Sequence, residues 1–298
     1  MSNKKLVLID GNNLFTRYYF AAKTSHLEPI EFCMKRFIEL RKEYADARFV
    51  FTFDTCKSKR RLELYPEYKG SRSSSLTEEE YLKFKNDLNM FMRCMKYAGY
   101  IVMEGHDYEA DDYIAAFQSM VRLNYSVLLI STDADFVQLI SKSFKIFDPF
   151  KKILITEDRV EKAYGFKQSQ ALDYKCIVGD KSDNIKGYQG IGDITAKKLL
   201  TRFDNFEKIF EYVTNNNDLT AKEKTLKDRS IYDRNKELCD LTIPIKDPTL
   251  KMLVKQFANG CKREFEKLHE LLCEKQLGHM TKEIDVQQGD RRIDDGAE

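Results

Sequence analysis

Nine acidic residues stand where acids are costly to place, and they define the chemistry on offer. Asp133 and Asp135 follow directly on the apolar run Val127-Leu128-Leu129-Ile130. Asp10 ends Leu6-Val7-Leu8-Ile9, and Asp54 ends Phe49-Val50-Phe51-Thr52-Phe53. A fourth run, Tyr100-Ile101-Val102-Met103, is followed within a short loop by Glu109, Asp111 and Asp112. Asp180 and Asp183 lie three apart on a predicted helix, in Gly179-Asp180-Lys181-Ser182-Asp183. A carboxylate is expensive to remove from water, and neighbouring ones repel each other. So many acids together call for cations. Oxygen-only ligands select hard divalent ions, Mg²⁺ with Mn²⁺ able to substitute. None of the four histidines, His26, His106, His269 and His279, belongs to the set, which argues against zinc. Two such ions roughly 4 Å apart activate water and stabilise the leaving oxygen in phosphodiester cleavage. A single aspartate is commonly a helix cap or a turn residue. Five separate segments doing so at strand ends by coincidence is a far weaker explanation. The EF-hand loop of a calcium-binding structural protein is absent.

The elements that must position these acids are legible as buried strands, because the preceding runs are apolar and partly β-branched. If the strands are parallel in one sheet, their C-terminal ends share the edge where open α/β sheets bind ligands. Helices are predicted over 14–22, from Pro29, and from Thr77 to about Ala98, where Gly99 stops the last of them. Lys145 to Phe147 and Lys152 to Ile155 read as edge strands around Asp148-Pro149. Between Asp54 and the third helix runs a basic stretch holding Lys57, Lys59, Arg60, Arg61, Lys69 and Arg72, with Tyr65 and Tyr68 interleaved. Cations mixed with rings suit a nucleic-acid backbone and its bases. From about residue 160 the chain turns helical. Gly187, Gly190 and Gly192 precede a helix carrying Lys197 and Lys198, a loop whose backbone can approach a phosphate.

Composition sets the outer bounds. The 298 residues, 33% charged with a net charge of +2, suit one large or two modest domains. An acidic crevice beside basic surfaces would give that near-neutral sum. Seven cysteines without a C-x-x-C pair read as reduced core thiols. No apolar run approaches the ~18 residues that span a bilayer. A soluble, cytoplasmic protein with no membrane partner is expected, in the host cytoplasm if viral.

Six motifs now stand in order: Leu8-Ile9-Asp10-Gly11-Asn12, Tyr65-Pro66-Glu67-Tyr68-Lys69-Gly70-Ser71-Arg72, Glu109-Ala110-Asp111-Asp112, Ser131-Thr132-Asp133-Ala134-Asp135, Gly179-Asp180-Lys181-Ser182-Asp183-Asn184, and the glycines from Gly187 to Gly192. Together they resemble the flap endonuclease/5′-nuclease family over roughly residues 5–245, in particular its stand-alone bacteriophage members and the 5′-nuclease domain of bacterial DNA polymerase I.

The resemblance implies a PIN-like α/β nuclease domain over 1–175, with a central, mostly parallel sheet and a helical arch at about 73–106. It implies a helical DNA-binding region over 176–277, with a helix–three-turn–helix at about 185–206. Residues 278–298, polar and acidic, are expected to form a disordered tail. By the family pattern Asp10, Asp54, Glu109, Asp111, Asp112 and Asp133 would serve one metal, and Asp135, Asp180 and Asp183 a second. Lys69 and Arg72 would stand at the base of the arch and act with Asp133 in catalysis. Tyr68 would stack on the substrate. Gly187, Gly190, Gly192, Lys197 and Lys198 would hold the duplex, with K⁺ at the glycine loop. The implied activity is structure-specific 5′ cleavage of flapped or nicked DNA, with RNA–DNA hybrids as a further substrate, in replication and primer removal, by a monomer. Two rival readings remain. A PIN-type ribonuclease would share the acids without needing the glycine loop. A non-catalytic replication-accessory protein would bind DNA without metal-dependent turnover.

Overall fold

A computed structural model describes residues 4–71 and 76–284. Arg72, the start of the expected arch at 73–75, and the tail beyond 284 lie outside the described residues. The strands of the main sheet are β1 (Lys4–Asp10), β2 (Arg48–Phe53), β3 (Ile101–Glu104), β4 (Tyr125–Ile130), β5 (Phe144–Asp148) and β6 (Ile153–Ile155). A separate two-stranded hairpin is formed by β7 (Gly179–Asp180) and β8 (Ile185–Lys186). The helices through the nuclease half are α1 (Gly11–Thr24), α2 (Pro29–Glu43), α3 (Lys59–Leu64), α4 (Glu78–Tyr97), α5 (Ala110–Val121) and α6 (Val160–Tyr164). Those that follow are α7 (Ala171–Val178), α8 (Asp193–Phe203), α9 (Phe206–Asn215), α10 (Ala221–Thr225), α11 (Arg229–Cys239), α12 (Pro248–Asn259), α13 (Phe265–Cys273) and α14 (Thr281–Ile284).

The main sheet has the order β3-β2-β1-β4-β5-β6. All neighbours are parallel except β5 and β6. Strand order reverses between β1 and β4, which puts Asp10 and Asp133 at the crevice of a topological switch point. The central strands are apolar on both faces because both are covered. Val7, Ile9, Phe49, Phe51 and Phe53 face the core under α1, α2 and α4. Leu6, Leu8, Val50, Val127 and Leu129 face the core under α5. Local signals start the helices: Pro29 at the first turn of α2, a Thr77/Glu80 capping box on α4, and a Glu109/Asp112 capping box on α5. Gly11 begins α1 directly at the strand end, where a Cβ would lie 2.3 Å from the Phe53 ring.

Three boundaries differ from the sequence reading. Within 73–106, β3 belongs to the sheet and Leu88, Phe91, Cys94 and Met95 of α4 are buried in the core. Among the described residues of this range, Tyr81 and Leu82 near the start of α4 are exposed, and Phe84 already packs on Phe15 and Tyr19. The segment 248–277 also does not stay with the helical region. Leu250 and Phe257 of α12 join the core under α5, and Leu268, Leu271 and Leu272 of α13 join the core that holds α4. Finally, the chain from 278 to 284 is folded. Met280, Thr281 and Ile284 are buried, and the Tyr100 hydroxyl donates to the Ile284 carbonyl at 3.4 Å. A few apolar side chains at one-turn spacing are enough to dock so short a segment onto an existing core. A composition-based reading averages them away.

Candidate active site

The C-terminal edge of the sheet opens into a crevice of about 330 Å³. Asp10, Asp54, Glu109, Asp111, Asp133, Asp135, Asp180 and Asp183 all line it, with Asn12, Asn13, Arg17, Lys69 and Ser182. Five segments therefore deliver acids to one place. Asp10 sits at the end of β1, caps α1 by accepting from the Asn13 N–H at 3.3 Å, and accepts from the Ser131 hydroxyl at 2.6 Å. Asp54 accepts from the Ala110 N–H at the start of α5 at 2.6 Å, and its own N–H donates to Asn12 Oδ1 at 2.8 Å. Asp133 accepts from the Asp135 N–H at 2.9 Å.

Electrostatics mark the crevice as short of positive charge. Burial, helped by repulsion from Asp133 and Asp54, pushes Asp10 up to about 8. Burial and nearby Asp111 push Asp54 up to about 6. Burial raises Asp133, and raises Asp135 to about 7 even with Lys175 pulling it down. Cations placed beside carboxyls shifted this way would favour their ionised form.

Asp180 reaches the crevice from the end of β7 and Asp183 from the turn of the β7–β8 hairpin, neither from a helix. Gly179 at φ 77° and Asn184 at φ 59° bracket the turn in left-handed backbone that a helix cannot continue through. Asp180 Oδ1 gathers the N–H of Ser182 at 2.6 Å and of Asp183 at 3.2 Å. Side-chain capture of backbone N–H groups is how aspartate competes with helix. Burial works to raise Asp180, but Lys175 and Ser182 outweigh it and hold the carboxyl down at about 2.

The basic stretch divides in two. Arg61 is 1% exposed and faces inward. Its guanidinium makes a paired contact to Asp112 at 2.8 Å and 2.8 Å, reaches Glu109 at 2.9 Å, and donates from Nε to the Leu238 carbonyl of α11 at 2.9 Å. Asp112 is thereby turned away from the crevice. It also accepts from the Glu109 N–H at 3.1 Å as part of the α5 cap. Its expected ligand role is not supported by this placement. Lys69 does line the crevice, with its ammonium 2.8 Å from Glu109. Tyr68, expected as a stacking ring, is 2% exposed. Its hydroxyl donates to Glu109 at 2.7 Å and lies 3.1 Å from Asp183, so in this structure it braces the acids from beneath.

On the helical side, α7 and α8 flank the hairpin and the glycine loop. The glycines are not equivalent. A Cβ at Gly187 would lie 2.2 Å from the Val178 carbonyl oxygen, so this residue lets the loop pack on the end of α7. Gly190 has φ 78°, and Gly192 caps α8 with open space where a Cβ would go. Lys198 is exposed, while Lys197 pairs with Asp193 at 2.6 Å.

Comparison with known proteins decides the family. The model described as "5'-3' exonuclease, N-terminal resolvase-like domain" matches residues 5–165, and "5'-3' exonuclease, C-terminal SAM fold" matches residues 166–259. The chain belongs to the 5′-3′ exonuclease family. A 5′-3′ exonuclease of Mycoplasmopsis pulmonis is 30% identical over 288 residues, 89% of this chain and 95% of that protein. The thermostable DNA polymerase I of Thermus thermophilus is 32% identical over 216 residues, 70% of this chain and 25% of that protein. The chain thus spans about a quarter of the length of that polymerase. Among solved structures, the T5 D15 protein co-crystallised with metal ions superposes with a TM-score of 0.69 at 24% identity, covering 95% of this chain and 99% of that one. The catalytic core of Rad2 in complex with DNA substrate gives 0.52 at 17% identity, covering 96% and 92%. Both share the fold.

For this exonuclease-family chain the donor set suits hard divalent ions, being all oxygen and short of positive charge. Among the described residues no three acids, histidines or cysteines are closed around one point. Arg61, Lys69, Lys175 and backbone N–H groups occupy carboxylate oxygens there instead. Two of those cations escaped the sequence reading as site residues. Arg61 looked like one more member of a solvent-facing basic run. Lys175 sits in a helix with nothing in its neighbours to mark it, five residues before Asp180. Ser131 stood beside Asp133 in a quoted motif, and its hydroxyl is what ties Asp10 to the end of β4.

Proposed function

We propose that this protein is a metal-dependent, structure-specific 5′ nuclease that hydrolyses phosphodiesters of flapped or nicked duplex DNA during replication and primer removal. One observation carries the reading: eight acids from five segments line one crevice with Lys69, beside a helical region that presents an open helix N-terminus. Asp10, Asp54, Glu109, Asp111 and Asp133 would hold one Mg²⁺ or Mn²⁺, and Asp135, Asp180 and Asp183 a second. When bound, such ions supply an activated water and charge stabilisation at the leaving oxygen.

The chain's own groups do the rest. Lys69 puts an ammonium at the crevice, on the side from which the basic stretch arrives, and draws the scissile phosphate inward. Arg61 and Tyr68 fix Glu109 from behind. Ser131 and Asn13 set the two oxygens of Asp10. Gly190, Gly192 and Lys198 hold the duplex backbone by N–H groups and charge, with K⁺ at the loop, and Arg72 assists Lys69. The protein works as a monomer in the cytoplasm, and accepts RNA–DNA hybrids at the same crevice.

The test is product mapping on a 5′-labelled flap, with and without Mg²⁺, beside single-stranded RNA as the alternative substrate. Metal-dependent cuts near the flap junction are expected, with Asp133→Asn inactive but binding the flap within a few-fold. Preferential cleavage of RNA, or an active Asp133→Asn, defeats the proposal.

A further inference from the structure

Lys175 lies on α7 and sends its ammonium between two segments that the chain brings together only in three dimensions. It pairs with Asp135 Oδ1 at 2.5 Å, from the turn after β4, and with Asp180 Oδ2, from the β7–β8 hairpin. The lysine side chain is 17% exposed, and the two acid side chains are 26% and 16% exposed. The other oxygen of Asp180 is already committed to the N–H groups of Ser182 and Asp183 and to the Ser182 hydroxyl at 2.8 Å. Oδ2 is therefore the oxygen Asp180 has left for an ion, and Lys175 is on it.

We infer that Lys175 is a built-in competitor for the second divalent ion, holding Asp135 and Asp180 together until the ion displaces it. This rests on the reading of Asp135 and Asp180 as ligands of that ion. Three observations support it. The ammonium and the ion need the same oxygens. A divalent charge admitted beside a retained ammonium in a half-buried site would be strongly repelled. And the lysine stem is flexible, so the ammonium can move off both oxygens.

The other buried cation makes the contrast. Arg61 grips both oxygens of Asp112, one of Glu109 and, at 3.4 Å, Asp111, locked by its Nε bond to the Leu238 carbonyl, while Lys69 sits on the other oxygen of Glu109 at 2.8 Å. The first position thus has an ammonium on one of its five proposed ligands, and the second has a single ammonium on two of its three. The two ions should differ in affinity for that reason.

The experiment measures Mn²⁺ binding to the full chain without DNA, by the loss of the free-ion electron paramagnetic resonance signal. Wild type should show one tight and one weak class. Lys175→Met should tighten the weak class by about tenfold, within the usual range of coupling between sites, while lowering resistance to urea. Lys175→Gln, which keeps a hydrogen-bonding head without the charge, should give the same direction if the methionine variant does not fold. A lysine that merely supports the fold predicts that stability and affinity fall together. That result, or an unchanged weak class, overturns the inference. Asp180→Asn separates this from the underlying reading. If it weakens the second class while Lys175 variants do not tighten it, only the competitor role falls. If it leaves both classes unchanged, the ligand assignment falls and the inference with it.

Discussion

Replacing Arg61 with methionine tests whether the basic stretch is partly a structural pillar. Arg61 is 1% exposed and meets Asp112 through two bonds at 2.8 Å and Glu109 through one at 2.9 Å. Methionine fills much of the volume but leaves buried Asp112 without its guanidinium partner, while Glu109 keeps only one cation, Lys69 at 2.8 Å. Removing one partner of a buried pair typically costs about 3–5 kcal/mol. At a urea slope of about 3 kcal/mol/M the unfolding midpoint should fall by roughly 1–1.7 M. Asp112→Asn removes the charge while keeping an oxygen for the Glu109 N–H, which the α5 cap needs at 3.1 Å. The double variant Arg61→Met/Asp112→Asn should therefore be more stable than the sum of the singles implies, by about 0.5–3 kcal/mol. Urea unfolding in EDTA measures all four proteins. An Arg61 that contacts DNA gives a different pattern: little change in unfolding, and a salt dependence of DNA binding shallower by about one charge. A loss below about 1 kcal/mol for Arg61→Met, or strict additivity, refutes the buried-pillar assignment, since both lie outside what a buried pair produces.

Other consequences follow from the same geometry. Asp54 and Asp112 are raised to about 6, Asp135 to about 7 and Asp10 to about 8, each by burial first. The folded form then keeps protons that the unfolded chain has released, so their stabilisation is full below the ordinary carboxylate range near 4 and is lost as pH rises through about 6 to 8. Metal-free protein should melt at progressively lower temperature from pH 5 to pH 9, and Mg²⁺ should reverse the trend at the alkaline end. A melting temperature flat over that range contradicts the shifts. Gly187→Ala should destabilise markedly, because its Cβ would lie 2.2 Å from a backbone oxygen, whereas Gly192→Ala, with nothing within 4 Å, should leave urea unfolding unchanged. Ending the chain at Leu277 removes the buried side chains of Met280 and Ile284. At about 1.5–3 kcal/mol for each the expected loss is roughly 3–6 kcal/mol, and an equally stable truncation would show that the docking contributes nothing.

Much of the site was legible because its residues are local to strand ends. An apolar run that stops at an acid announces both the strand and the edge, which is why Asp10, Asp54, Asp133 and Asp135 could be placed on one side of a parallel sheet. What failed depended on partners distant in sequence or on backbone sign. Asp180 and Asp183 have helical spacing, but Gly179 and Asn184 turn the chain the other way. The direction in which Arg61 points is set by Asp112 and by the carbonyl of Leu238, 177 residues away. Tyr68 sits among cations in the sequence, yet its hydroxyl finds better acceptors in the buried acids. The docking of 278–284 rests on three side chains that matter only because α2, α4 and α13 leave a place for them.

The most direct measurement of the central claim is anomalous scattering from crystals soaked in Mn²⁺. Two peaks are expected in the crevice, one among Asp10, Asp111 and Asp133 and one among Asp135, Asp180 and Asp183, with the Lys175 ammonium moved off the second. Crystals without a peak in the crevice, at a Mn²⁺ concentration that supports cleavage in solution, would contradict the account.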